Sequence, residues 1–156
     1  MATSDLSRLQ AVHALAADGR ALHRVLKQAG LTKDSVVRVT GPAGPTAALW
    51  LYRHGYEYAA YVHPNWVAAK TSADALLIPH ACGAEELSGL LQDGDCVREG
   101  GVLIVQASSD RFARSFDSLR AMLRPRGYQV EKHISDRGLD ICIARRLGSG
   151  GVEQAA

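Results

Sequence analysis

Apolar residues recur at helical spacing through the first thirty positions: Leu6, Leu9, Val12 or His13, Ala16, Leu22, Val25 or Leu26, and Ala29. This predicts a helical segment over 4–30, with Asp18-Gly19 as a possible break and Gly30 as a C-terminal stop. A compact apolar run, Ser35–Thr40, predicts the first strand. Gly41-Pro42-Ala43-Gly44 ends it, and a helix is expected over Pro45–His54, with Pro in its first turn and Gly55 just beyond. Tyr56–Val62 reads as a second strand, ended by His63-Pro64-Asn65. In it Tyr56, Tyr58 and Ala60 share one face and Tyr61 the other.

Asp74–Ile78 is apolar enough for the middle of a sheet and ends at Pro79. A short helix follows over Ala84–Leu91, then a turn at Asp93-Gly94-Asp95. Glu99-Gly100-Gly101 leads into a buried strand at Val102–Gln106. Ser109 or Asp110 caps the next helix, whose apolar stripe is Phe112, Phe116, Leu119 and Leu123; Pro125 and Gly127 stop it. Tyr128–Ile134 and Leu139–Arg146 form an antiparallel hairpin around Ser135-Asp136-Arg137-Gly138. Alternating strands and helices predict an α/β fold: a Rossmann-like, mostly parallel sheet with helices on both faces and a closing antiparallel β-hairpin. Residues 1–147 read as one domain and 148–156, small and polar, as a flexible tail.

Length and charge refine this picture. A chain of 156 residues can bury a full core. The net charge of +2 hides a local imbalance: +4 over residues 1–70, −5 over 71–100 and +3 over 101–156. The basic residues from Arg111 to Arg126 are either a patch for an anion such as nucleic acid or the solvated face of a helix, and the second is the expectation. No apolar run reaches the ~20 residues needed to span a bilayer, so no membrane partner is expected. Cys82, Cys96 and Cys142 are odd in number and share no metal-like spacing, which fits reduced, cytoplasmic thiols. The six histidines have no ligand spacing either, so no metal site is expected.

The candidate chemistry sits at the carboxyl ends of the strands, where α/β proteins hold ligands. A glycine loop running into a helix presents backbone N–H groups to an anion or nucleotide. Gly41 and Gly44 serve either such a ligand or only the sharp turn. His80, in Pro79-His80-Ala81-Cys82, is either a general acid/base beyond a central strand or a solvated loop histidine. Trp66 either stacks on a ring or lines a groove, or covers a sheet edge, and the last is the expectation; core or edge packing accounts for the tyrosines at 52, 56, 58 and 61 without a ligand.

The order of elements resembles the class I S-adenosylmethionine-dependent methyltransferase family. Three stretches carry the resemblance: residues 25–49, VLKQAGLTKDSVVRVTGPAGPTAAL; residues 96–106, CVREGGVLIVQ; and residues 110–146, ending GYQVEKHISDRGLDICIARR. The resemblance implies S-adenosylmethionine at Thr40, Gly41, Ala43 and Gly44, with His63 at the place of the ribose-binding carboxylate. It also places His80 beside a methyl acceptor. The chain departs from the pattern in three ways. Pro42 and Pro45 carry no N–H. Val62-His63-Pro64 holds no carboxylate. Residues 63–73 are too few for the helix, strand and helix the family places there, so a sheet one strand short is expected. Two functions remain open. One is a small methyltransferase. The other is a cofactor-less binding or scaffolding module of the same fold, acting through a protein–protein or homodimer interface at the sheet edge left by the missing strand.

Overall fold

The computed structural model describes residues 19–41, 43–63, 72–79, 84–91, 97–108, 116–136 and 139–148. In chain order these form α1 (Gly19–Gln28), β1 (Val37–Val39), α2 (Gly44–Arg53), β2 (Ala59–Tyr61), β3 (Ala73–Ile78) and α3 (Ala84–Leu91). They continue with β4 (Val97–Ser108), α4 (Phe116–Leu123), a 3-10 turn (Arg124–Arg126), β5 (Tyr128–Asp136) and β6 (Leu139–Arg146). The strands make one six-stranded sheet in the order β2-β1-β3-β4-β6-β5. β2, β1, β3 and β4 run parallel; β6 is antiparallel to both β4 and β5. Among the described residues nothing pairs with the outer edge of β2. No helix among them is long and apolar enough to cross a membrane.

Two buried clusters cover the two faces of the sheet, which is why its strands are apolar on both sides. On one face Leu22, Val25 and Leu26 of α1 and Ala47, Ala48 and Leu51 of α2 pack on Val37, Val39, Ala75, Leu77, Ile104 and Ile143. On the other, Leu87 of α3 and Leu119 and Leu123 of α4 pack on Leu76, Ile78, Leu103, Val105 and Cys142.

Several expectations need correction. The first strand spans only Val37–Val39, because Ser35 is tied into a turn: its N–H donates to Thr32 O, and its Oγ accepts from Thr32 N. The second strand starts at Ala59, not Tyr56. Tyr56 N–H donates to Leu51 O at the end of α2, and its hydroxyl meets His23 Nδ1 at 2.9 Å, so Tyr56 turns into the core while Tyr58 stays exposed. Burial pushes the Tyr56 phenol pKa above its ordinary value. The strand expected at Val102–Gln106 runs from Val97 to Ser108, with Gly100 and Gly101 inside it. The final hairpin is tighter than expected, since its ladder continues to Asp136 and Leu139 and leaves only residues 137–138 between strands. The expected helix before Gly19, the caps at Ser109 and Asp110, and the tail beyond 148 lie outside the described residues.

At the amino-terminal end of the sheet Asp74 joins three elements. Its Oδ2 accepts the Val36 N–H at 2.7 Å and its Oδ1 accepts Arg98 Nε–H at 2.6 Å. The hydrogen bond from Arg98, then that from Val36, hold the carboxyl below its ordinary pKa. A depressed carboxyl pKa contributes stability above the unfolded value of about 3.9, and that contribution is lost as pH falls through the folded value. Urea unfolding between pH 6 and pH 3 is therefore expected to show wild type losing stability below about pH 4 more steeply than Asp74→Asn. Parallel curves for the two proteins would remove this role from Asp74.

Candidate functional site

The strand order reverses between β1 and β3: the chain goes outward from β1 to β2, then returns to place β3 on the other side of β1. The crevice beyond the carboxyl ends of β1 and β3 is the place where such sheets bind ligands. The chain brings Thr40, Gly41, Ala43 and Gly44 to this point, with Tyr61, Val62 and His63 arriving from β2 alongside. Gly41 has a φ of 96°, a left-handed conformation that glycine adopts freely, so the turn out of β1 requires it whether or not a ligand binds. Pro42 and His80 lie outside the described residues, as do Cys82 and Trp66.

Several polar groups at this turn are engaged by the protein. Thr40, almost fully buried, donates its N–H to Leu77 O at 3.1 Å and its hydroxyl to Val62 O at 2.9 Å. Val62 N–H donates to Val39 O at 2.8 Å. At the start of α2, Gly44 N–H donates to Gly41 O at 3.0 Å, and Pro45 has no N–H to offer. These bonds satisfy groups that a bound ligand would need as partners.

The space beside the loop is also taken. Tyr61 pairs with Val39 in parallel register, which sends both side chains to the α2 face. α2 begins at Gly44, so the Tyr61 ring meets its first turn. A Cβ placed on Gly44 would lie 2.7 Å from both Cδ2 and Cε2 of that ring, well inside contact distance. The missing side chain at Gly44 thus accommodates the protein's own tyrosine. His63 is exposed at the end of β2 and is not a carboxylate. In this arrangement the Tyr61 ring fills the space beside Gly44, and the Thr40 N–H, the Thr40 hydroxyl and the Gly44 N–H are engaged, so these atoms do not receive a cofactor with ribose hydroxyls and an amino-acid tail.

Sequence reasoning missed two features at this end of the sheet. Tyr61 reads only as an edge aromatic until the β1–β2 register is known. Gln106 and Asp140 are buried polar residues near the carboxyl end of β4, where Gln106 faces Ile141 and Ala107 faces Asp140 across the β4–β6 ladder. Asp140 Oδ1 lies 3.3 Å from His133 Nε2. A polar residue at an inward-facing position of an apolar strand was the available signal for both. Burial pushes the Cys142 thiol up to about 11, which keeps it protonated and unsuited to nucleophilic work near neutral pH. Among the described residues no group of three or more His, Cys, Asp or Glu side chains is placed to hold a metal ion.

The fold is similar to that of ribosomal protein L11 methylase from Lactobacillus delbrueckii subsp. bulgaricus, with a TM-score of 0.62 and 11% identity over 79% of this chain and 75% of that one. It is similar as well to fibrillarin, a pre-rRNA processing protein of Methanococcus jannaschii, with a TM-score of 0.54 and 10% identity over 76% and 69% of the two chains. Fibrillarin in its complex with Nop5p gives 0.56 and 13% over 75% of each. At these identities the likeness shows the fold alone: the Rossmann-like α/β fold of methyltransferases. No protein-family model matches the sequence, and no curated protein matches it.

Proposed function

We propose that this protein is a methyltransferase-fold module that works without S-adenosylmethionine, by binding a partner through its surface. The observation that carries this reading is the closed crevice at β1 and β2, where Tyr61 packs on Gly44 and Thr40 donates to Val62. The surface that supports it is next to that crevice. Among the described residues the large exposed apolar side chains are Leu49, Tyr52, Tyr58 and Tyr61, all on α2 or beside β2. Exposed apolar side chains on an edge strand and the helix beside it suit an interaction site. The partner proposed is a second copy of this chain, because an edge strand can pair antiparallel with its own copy about a two-fold axis. Nucleic acid is not the proposed partner.

A second reading, an S-adenosylmethionine-dependent methyltransferase using Thr40, Gly41, Ala43, Gly44, His63 and His80, is favoured by the fold shared with a ribosomal protein L11 methylase. Thermal shift and calorimetry with S-adenosylmethionine and its demethylated product separate the two. A ligand at 100 times its Kd stabilises by about 2.7 kcal/mol. The expected result is no shift at millimolar ligand, together with a dimer by light scattering. Saturable binding would overturn the cofactor-free reading, and a monomer at high concentration would remove the homodimer.

A further inference from the structure

We infer that Tyr61 is the closure of the glycine-loop crevice, a single aromatic side chain that decides whether a nucleoside-type ligand can enter beside Gly44. The inference rests on the cofactor-free reading above and assigns the exclusion to one residue.

Three observations carry it. First, the ring of Tyr61 occupies the volume that the glycine leaves open, since any Cβ at Gly44 would meet Cδ2 and Cε2 at 2.7 Å. A flat six-membered ring already packs there, so the wall it covers has the shape for a flat heterocycle. Second, Tyr61 is held only from one side. It is the last residue of a three-residue strand at the edge of the sheet, paired with β1, and it keeps 37% of its surface exposed. At such an edge position, shortening the side chain opens the space beside Gly44 to solvent and does not leave a sealed core cavity. Third, the neighbouring polar closure depends on the same segment. Val62, next in the chain, accepts the Thr40 hydroxyl at its carbonyl oxygen and donates its N–H to Val39 O, so these contacts stay in place when only the Tyr61 side chain is changed. Gly44 itself has ordinary backbone geometry. Gly41 and not Gly44 has positive φ, so the absence of a side chain at 44 is explained by close approach and not by backbone conformation.

The ligand class follows from the space: a flat aromatic ring the size of the phenol, such as the base of a nucleoside, stacked where the phenol now sits. Tyr61 is then a gatekeeping residue and not a catalytic one.

The test is calorimetric titration of wild type, Tyr61→Phe, Tyr61→Val and Tyr61→Ala with S-adenosylhomocysteine and with adenosine, and a parallel thermal-shift series with p-cresol. Tyr61→Val keeps the strand preference of the edge and serves if the alanine variant does not fold. Tyr61→Val is expected to bind S-adenosylhomocysteine at least tenfold tighter than wild type, and Tyr61→Phe, which keeps the ring, to behave as wild type does. If neither wild type nor Tyr61→Val binds, this inference falls while the cofactor-free reading stands. If wild type binds but Tyr61→Val binds tenfold tighter, the cofactor-free reading falls and the gatekeeping role stands. Equal binding by both removes both. Stabilisation of Tyr61→Val by p-cresol but by neither nucleoside would mean a vacated side-chain hole only, and would overturn the inference.

Discussion

Gly101→Ala is expected to cost about 3 kcal/mol of stability, the upper part of the range for an overpacked core site. The position lies in the amino-terminal part of β4, where the pairing with β3 slips: Ala73 faces Val97, yet Ala75 faces Val102. The extra residues of β4 bulge there, with Gly100 at a φ of 78°. A Cβ on Gly101 would sit 2.5 Å from Val97 Cγ1, 2.8 Å from Asp74 O and 2.9 Å from Arg98 O. Val97 is fully buried and has little room to turn. The two oxygens are the backbone carbonyls of Asp74 and Arg98, two residues joined by their side chains, with Asp74 held by Val36 as well. No neighbour can yield cheaply. Chemical denaturation should show a lowered midpoint with an unchanged slope, and the melting temperature should fall by roughly 10 °C, at about 2–4 °C per kcal/mol for a chain of this size. A melting temperature within 2 °C of wild type would show that the bulge absorbs the methyl group.

Gly44→Ala has a smaller but more diagnostic effect, a loss of about 1–2 kcal/mol. Here the obstacle is a side chain, the Tyr61 ring, and not the backbone. In a Tyr61→Ala background the same substitution should become neutral or stabilising by about 0.5–1 kcal/mol, since alanine is favoured over glycine in a helix. A double-mutant cycle by urea unfolding reads the difference as a coupling energy of about 1–3 kcal/mol. Additive effects would place the Tyr61 ring away from Gly44 in solution and would weaken the closed-crevice reading with it. The contrast between the two glycines is physical: at 101 backbone must move, whereas at 44 a partly exposed ring can swing out.

Much of the fold was legible from periodicity and punctuation. α3 spans Ala84–Leu91 and β6 spans Leu139–Arg146 as the apolar pattern predicts, and β3 differs by one residue. The edges of β1 and β2 were not legible. Val36 and Tyr56 suit strands, but the turn at Thr32–Ser35 engages Ser35 beside Val36, and Leu51 O at the end of α2 takes the N–H of Tyr56 itself. Gly100-Gly101 reads in the sequence as a lead-in to the strand; in the structure it is the bulge that lets a long strand keep pairing. Thr40, Gly41, Ala43 and Gly44 were placed correctly at the end of β1 by the Gly/Pro signature. What their polar atoms bind was beyond reach, because the partners Val62 and Leu77 are 22 and 37 residues away in sequence.

The sequence by itself determined the elements, their alternation and the closing hairpin. Each depends on local matters: the spacing of apolar residues, prolines that lack an N–H, and glycines that permit tight turns. The tertiary structure alone decided what the glycine loop faces. Parallel strands are joined by long crossovers that impose no register, so the pairing of Val39 with Tyr61 comes from packing across the whole sheet. A slip of one residue would turn the tyrosine to the opposite face and leave Gly44 open. Whether the turn after β1 is a ligand cradle or a seat for the protein's own side chain therefore depends on a register that no local pattern specifies.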